Sequence, residues 1–435
     1  MVYELAARLA APAAALAAPF SPKLRRGLVG RRASLPALVA WAETARDARR
    51  PLVWLHAPSV GEALMAQAIL TELKQREPAV QSVFTHFSPS AERVAARVGA
   101  DWSGYLPWDT TANARAALDA LAPDCVAFVR TEIWPVLVRE AHARDIPVVL
   151  VNGVLAPGSS RLRAGARMLL RPAYRRLDAV GVVGAGDAAT FPALGVDPAR
   201  ITVTGDARFD QVQRRVDALD RDRPLLRLLR DTAVRWLVAG STWPADEGLL
   251  VDALTSPAAA SFAASPWRIV FAPHEPTPAH IEALERRLTG AGIAHARLPT
   301  GDSPPGSLVA LPPTGAIIVD RVGVLADLYA IASVAYVGGG FGSAGLHSVV
   351  EPAALGVPVV HGPRLGNAQE AARLDAAGGG FTVRGVADAA AVLQRFAGDD
   401  AARAAAGIAA RAFVQSGLGG AAGSAAVILD HVRTR

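Results

Sequence analysis

SVAYVGGGFGSAGLHSVVEPAALGVPVVHGP, residues 333–363, reads as one strand–turn–helix–strand unit. Val334 to Val337 is a short apolar run rich in β-branched and aromatic residues, the composition of a buried strand. Gly338, Gly339, Gly340, Phe341 and Gly342 follow, a backbone that a ligand approaches without side-chain obstruction. Leu346 to Leu355 has helical spacing, and Gly356-Val357-Pro358 stops it before a second strand at Val359-Val360. A glycine turn feeding a helix N-terminus suits an anion, since unpaired N–H groups and the helix dipole point at it. His347 and Glu351 lie one turn apart on that helix, where a carboxylate can accept hydrogen bonds from ribose hydroxyls. The plain alternative is a βα turn whose glycines only permit tight packing. No GxGxxG opens this helix with an acidic residue ending the next strand, so the run is not a dinucleotide fingerprint.

Working outward, the same rhythm fills the chain. Strands are expected at Pro51–His56, Ser82–Phe87, Cys125–Val129, Val148–Val151 and Ile201–Thr204. They recur at Trp236–Ala239, Arg268–Ala272 and Ile317–Val319, with helical segments between. This alternation implies mostly parallel sheets covered by helices, whose ligands bind at the strand carboxyl ends. Glu62, Ser88-Pro89-Ser90, Glu132 and Asn152 fall at such ends in the first half, and Ser241, Thr242 and His274 in the second. Glu62 follows a glycine-supported turn: it either caps a helix or pairs with an arginine, or serves as a general base in a cleft.

At 435 residues the chain exceeds one ordinary core, so two domains of about 200 residues are expected. The polar stretch Arg214 to Arg230 is the natural linker. Two similar α/β domains with sheets facing each other across a cleft describe the GT-B architecture. The expected boundaries are 1–32 for an N-terminal segment, 33–212 for an acceptor domain and 213–435 for a nucleotide domain. Gly419 to Arg435 is expected to return to the first domain as a closing helix. Cys125, the single cysteine, sits in an apolar run and reads as a buried structural thiol. Asp220-Arg221-Asp222 lies in the linker, and no metal-ligand spacing appears.

The net charge of +6 belongs to the first half: residues 1–210 carry 25 Lys and Arg against 19 acidic residues, and the remainder 20 of each. No zinc spacing, aromatic RNP-like motif or basic helix-turn-helix points to nucleic acid. Val2 to Phe20 is apolar but carries Glu4, Arg8 and Pro12. The basic run Lys23, Arg25, Arg26, Arg31 and Arg32 comes after it, not before as in a signal peptide. The preferred reading is a segment lying in the headgroup region with the basic run against anionic lipid; the other is a helix packed on the domain. Arg161, Arg163, Arg167, Arg171, Arg175 and Arg176 occur with no acidic residue between them. They form either a solvated face or a second basic surface for phosphates.

In order along the chain, HAPSVGE (56–62), SPS (88–90), YLPWD (105–109), TEIWP (131–135), Asn152 with Ser159-Ser160, and TVTGDARFD (202–210) resemble the 3-deoxy-D-manno-octulosonic acid (Kdo) transferases of lipopolysaccharide synthesis. GSTWPADE (240–247), APHEP (272–276), LYAIASVAYVGGGFG (328–342), the 347–363 run, and Asn367 with Glu370 continue the resemblance. Pro273, Ser348 and Val154 depart from the family's usual residues. The resemblance implies an inverting, metal-independent and cofactor-free transfer of Kdo from CMP-Kdo to a lipid A precursor (lipid IVA). The expected setting is the cytoplasmic face of the bacterial inner membrane, on its anionic surface, with no nucleic acid partner. Glu62 would be the catalytic base, with Ser59, Gly61, Ser88 and Glu132 on the acceptor side. Ser241, Thr242, His274, Gly339, Gly340, Phe341, Gly342, His347, Glu351, Asn367 and Glu370 would hold the donor. The competing readings are a UDP-sugar GT-B transferase with a lipid acceptor, a UDP-GlcNAc 2-epimerase-like isomerase, and a non-catalytic binder of lipid A or CMP.

Overall fold

The computed structural model describes residues 2–229, 234–260, 262, 266–298, 315–343, 345–366 and 368–432. They form two compact units, Met1–Gln211 with Gly417–Arg435, and Val212–Ser416. The first boundary falls inside the Ala207–Asp217 helix, so part of the polar stretch expected to be a linker is helical. Each unit is built on a seven-stranded parallel sheet, giving the two Rossmann-like α/β units of a GT-B chain.

The first sheet runs β3 (Trp102–Tyr105), β2 (Gln81–His86), β1 (Leu52–His56), β4 (Cys125–Val129), β5 (Val148–Gly153), β6 (Ala179–Val182) and β7 (Ile201–Val203). Its strands alternate between two cores, as a period of two requires. Leu52, Trp54, Val126 and Phe128 meet one helical layer. Val53, Leu55, Cys125, Ala127 and Val129 meet the other, formed by α3 (Val60–Arg76) and the C-terminal helix Gly420–Leu429. Three aspartates set register from outside the strands. Asp101, Asp124 and Asp178 each precede a strand and accept the N–H of the first or second residue of the neighbouring one: Ser82, Leu52 and Val148, all at 2.8 Å.

The second sheet runs β10 (His295–Arg297), β11 (Ala316–Ile318), β9 (Trp267–Pro273), β8 (Arg235–Thr242), β12 (Val334–Val337), β13 (Val359–His361) and β14 (Gly380–Thr382). Successive strands turn toward opposite edges between β1 and β4 in the first sheet and between β8 and β12 in the second. In sheets of this kind, ligands bind beyond the strand carboxyl ends at such switch points.

The N-terminal segment is helical. α1 (Val2–Ala17) is tied to the first unit by its polar face: Glu4 accepts from the Thr111 hydroxyl and pairs with Arg139 at 3.3 Å. Its other face holds Leu5, Leu9 and Leu16, which are 60%, 59% and 80% exposed, and Phe20 beyond it is 89% exposed. α2 (Pro22–Ala45) corrects the reading of the basic run. Arg31 is buried: its guanidinium lies 3.6 Å from the Phe87 ring centroid, near Tyr105 and Trp108, and donates to the Phe87 carbonyl. Arg26 pairs with Glu92. Lys23, Arg25 and Arg32 keep the exposed character expected of all five. The cause is aromatic: Phe87, Tyr105 and Trp108 converge at strand ends where a planar cation stacks better than water does.

The apolar run Asp400–Leu429 has the length and composition of a membrane span. It breaks into two helices, Asp400–Ser416 and Gly420–Leu429, with Gly419 at φ +103°. Ala406 belongs to a core of the second unit and Ala421, Ala425 and Ile428 to a core of the first. The run is thus two core helices. Asp210 caps the second, accepting the Gly419 and Ala421 N–H groups at 2.9 and 3.0 Å. Asp210→Ala is expected to lower the unfolding free energy by about 1 kcal/mol, the usual value of a helix cap. Denaturant unfolding of the variant tests this, and an unchanged midpoint would show that the cap contributes nothing.

Candidate active site

Glu62 stands in the first turn of α3, just beyond β1, and Glu132 follows β4. Both therefore belong to the switch point of the first sheet. The local sequence explains Glu62: Ser59 is the N-cap and Glu62 the third helical residue, the spacing of a capping box. The Ser59 hydroxyl donates to the Glu62 carboxylate, fixing its orientation, and among the described residues no other side chain or N–H donates to it. Gly61 is exposed, and a Cβ built there meets nothing within 4 Å. Nothing in the fold requires glycine at this position. Ser88 sits in the turn after β2; its N–H donates to Pro58 O at 2.8 Å, joining it to the Glu62 turn. Its hydroxyl lies 2.8 Å from that of Ser90.

The Glu132 carboxyl is pushed above the usual range, first by burial, with Arg161 (4.0 Å away) opposing and the Glu62 charge adding to the rise. Beside them His56 is fully buried. Its Nε2 accepts from the Trp134 indole at 2.9 Å, so Nδ1 carries the proton toward Thr85 Oγ1, 3.0 Å away. Burial, and then the charge of His86, lower its pKa to about 3. Asn152, with φ +54°, is turned inward: its Oδ1 accepts Ala207 N–H at 2.9 Å and its amide touches the Met65 sulfur. It braces the site from beneath.

In the second unit the expected donor residues gather at the β8/β12 switch point. The glycines of the opening stretch answer to packing first. A Cβ on Gly338 would come within 2.3 Å of Ser241 O, one on Gly339 within 2.1 Å of Gly345 O, and one on Gly340 within 2.7 Å of Gly362. The Gly339 N–H is engaged too, donating to Asp246 Oδ2 at 3.0 Å. Asp246 also accepts from Trp243 N–H at 2.9 Å and the Tyr336 hydroxyl at 2.8 Å. One buried carboxylate thus ties the helix after β8 to the turn after β12. Thr242 is buried and donates to Glu247 at 2.8 Å, which in turn meets His280 at 3.0 Å. Gly339 and Thr242 therefore support the loop from behind. Ser241 (φ +53°) is half-buried at the turn, as are Phe341 and Gly342.

The helix expected over Leu346–Leu355 is only Val350–Ala354. His347 lies in the loop before it, so His347 and Glu351 do not share a helix face. Pro352 accounts for part of this: it cannot donate within the helix, and so short a segment is held by packing alone. His347 instead stacks on His274, ring centroids 4.3 Å apart, and His274 on Trp243 at 5.1 Å. Burial, and then His274, lower the His347 pKa to about 4. His274 is exposed, leaving an imidazole edge for an anion. Glu351 pairs with Arg215 at 3.6 Å, and burial raises its carboxyl. Glu370 is buried, and Asn367 lies outside the described residues. Trp243 and Asp246 were missed as site residues, although both lie in the quoted GSTWPADE run. Among the described residues no three His, Cys, Asp or Glu side chains form a metal-holding group.

A family profile described as 3-Deoxy-D-manno-octulosonic-acid transferase (kdotransferase) matches residues 31–211. The chain is 30% identical over 346 residues to a 3-deoxy-D-manno-octulosonic acid transferase of Bordetella pertussis, covering 76% of each. It is 26% identical to that of Haemophilus influenzae, covering 74% of this chain and 73% of that one. Among solved structures it resembles the UDP-GlcNAc 2-epimerase from Neisseria meningitidis, with a TM-score of 0.59 at 12% identity over 87% of this chain and 99% of that one. That likeness shows the fold alone.

A pH dependence follows from His56. Its folded pKa lies below the ordinary value, so the unfolded chain binds the extra proton as pH falls. The stability it confers is fully present above about pH 6.5, and about 2 kcal/mol is lost between pH 8 and pH 5. Unfolding measured across this range is expected to show a shallower slope for His56→Gln than for the wild type. Equal slopes would mean that His56 does not titrate as its burial requires.

Proposed function

Because the chain belongs to the 3-deoxy-D-manno-octulosonic acid transferase family, we propose that it moves Kdo from CMP-Kdo to a lipid A precursor, lipid IVA, with inversion and without a metal ion. The observation that carries this reading is the Glu62 carboxylate: oriented by Ser59, beside Glu132, and open above Gly61. Glu62 takes the proton of an acceptor hydroxyl as its oxygen attacks the anomeric carbon of Kdo. The bond from that carbon to the CMP phosphate oxygen breaks, and CMP leaves with the electron pair. Ser59 holds the base in one rotamer. Glu132 and Ser88 contact the acceptor sugar.

The donor is held by the second unit. His274, Ser241 and the N–H groups of the Phe341–Gly342 turn offer donors to the leaving phosphate, the role a cation would otherwise fill. His347 and Trp243 give His274 its orientation, and Glu351, Glu370 and Asn367 shape the nucleoside pocket. Asp246 acts through the turn it holds and is a positioning residue. The protein works at the cytoplasmic face of the inner membrane. Support comes from α1, whose polar face is fastened to the domain while its leucines face outward. This is the arrangement of a helix lying in an interface.

The test is product mass after incubation with CMP-Kdo and lipid IVA in detergent micelles. Glu62→Gln is expected to reduce transfer by about 10²–10⁴-fold while CMP binding is unchanged. Full activity in that variant would remove Glu62 as the base. Binding of UDP but not CMP would move the reading to a UDP-sugar enzyme. Gly61→Ala separates fold from function: unfolding should shift by no more than about 1 kcal/mol, whereas transfer should fall at least about tenfold, because the added methyl occupies the approach to Glu62. A drop in stability without loss of transfer would assign Gly61 to the fold.

A further inference from the structure

The Ala164–Tyr174 helix of the first unit carries a feature that transfer chemistry does not use. Arg167, Arg171 and Arg175 recur every fourth residue, so their side chains line one helix face about 6 Å apart. With His142, Met168 and Arg176 they line a cavity of about 600 Å³. The stems of Arg171 and Arg175 are laid across Gly195, whose Cβ, if present, would stand 2.8 Å from each. None of the three makes an ion pair among the described residues.

The neighbouring helix Pro135–His142 and the turn after it behave differently. Arg139 pairs with Glu140 at 2.9 Å and Arg144 with Asp119 at 2.8 Å. Like charges four residues apart destabilise a helix unless an anion lies between them. Among the described residues no acidic side chain lines this cavity. Beside the arginines, Met168 is 72% and Leu169 38% exposed. Phosphate-binding cations flanked by protruding apolar side chains are the chemistry of a bilayer surface. α1 borders the same layer: its Glu4 meets Arg139, three residues before His142 on one helix.

We propose that this groove seats the phosphates of anionic phospholipid headgroups, with Met168 and Leu169 entering the interface. It gives the first unit a second membrane contact beside α1, and so sets its orientation as well as its attachment. This inference rests on the membrane-surface reading of α1 given above.

The test is co-sedimentation of the full chain with phosphatidylcholine vesicles, alone or with about one-third phosphatidylglycerol, at physiological salt. The wild type should prefer the anionic vesicles. The triple variant Arg167→Gln/Arg171→Gln/Arg175→Gln should lose most of that preference, about fivefold per arginine and so about a hundredfold together, while binding neutral vesicles as before. The corresponding triple lysine variant should retain it. Leu5→Ser/Leu9→Ser/Leu16→Ser should weaken binding to both kinds of vesicle. Unchanged thermal unfolding and unchanged transfer to a micellar acceptor exclude misfolding. A glutamine variant that keeps the anionic preference overturns the groove proposal and leaves the membrane reading in place. A folded wild type that binds neither vesicle overturns both.

Discussion

A parallel sheet covered on both faces leaves polar chemistry only one way out, at its edges along the strand axes. Both sheets here obey that constraint. The interior strands are buried throughout their central residues, down to the fully buried Trp54, Phe128 and Tyr336, because each face packs against helices. What the chain offers to a ligand must therefore come from turns at the carboxyl ends, and it concentrates at the two switch points. Three of the five described non-glycine residues with positive φ lie at such ends, whereas Ala122 and Asp145 follow helices. Arg130 after β4, Asn152 in β5 and Ser241 in β8 all have positive φ without being glycine, a conformation that persists only where surrounding contacts hold it.

Carboxylates that accept backbone N–H groups fasten strand ends and turns. Asp101, Asp124 and Asp178 do so at the amino ends of strands. Asp109 receives Val136 and Leu137 N–H at 2.9 and 2.8 Å, which fixes the start of the helix after Glu132. Asp246 does the same between the two loops of the second unit. Acidic residues in this chain thus divide into many that organise turns and few that face solvent at the site. The same residue type serves both ends, and only the partners tell them apart. Ser59 toward Glu62 is a single hydroxyl, whereas Asp246 is saturated by three donors.

This division explains what the sequence made legible. Central strands such as Cys125–Val129 and Val334–Val337 were readable residue by residue, since burial on both faces demands a continuous apolar run. The strands Trp102–Tyr105, His295–Arg297 and Gly380–Thr382 were not, because a short edge strand with one neighbour carries little such signal. The alternation of elements made the two α/β units readable, and strand-end positions made Glu62 and Glu132 readable as candidates. The glycines of the 338–342 run were harder: their spacing is the same whether they admit a phosphate or a neighbouring backbone, and three of them meet backbone or the adjoining loop. Helical spacing over Leu346–Leu355 misled for a related reason, since apolar residues packed around a loop imitate a period that no hydrogen bonds enforce. Arg31 was taken for a lipid contact because its aromatic cage is assembled from residues more than fifty positions away.

The return of the C-terminal helix to the first unit has a consequence for synthesis. Ala421, Ala425 and Ile428 complete one of that unit's two cores, yet they leave the ribosome after every residue of the second unit. During translation the N-terminal sheet waits with α3 and the strand faces beneath it partly uncovered, while residues 212–416 already possess all of their own core. The order of completion is thus the reverse of the order of sequence. A nascent chain has the core of its second unit complete first, and the half bearing Glu62 becomes whole only after that unit has been made.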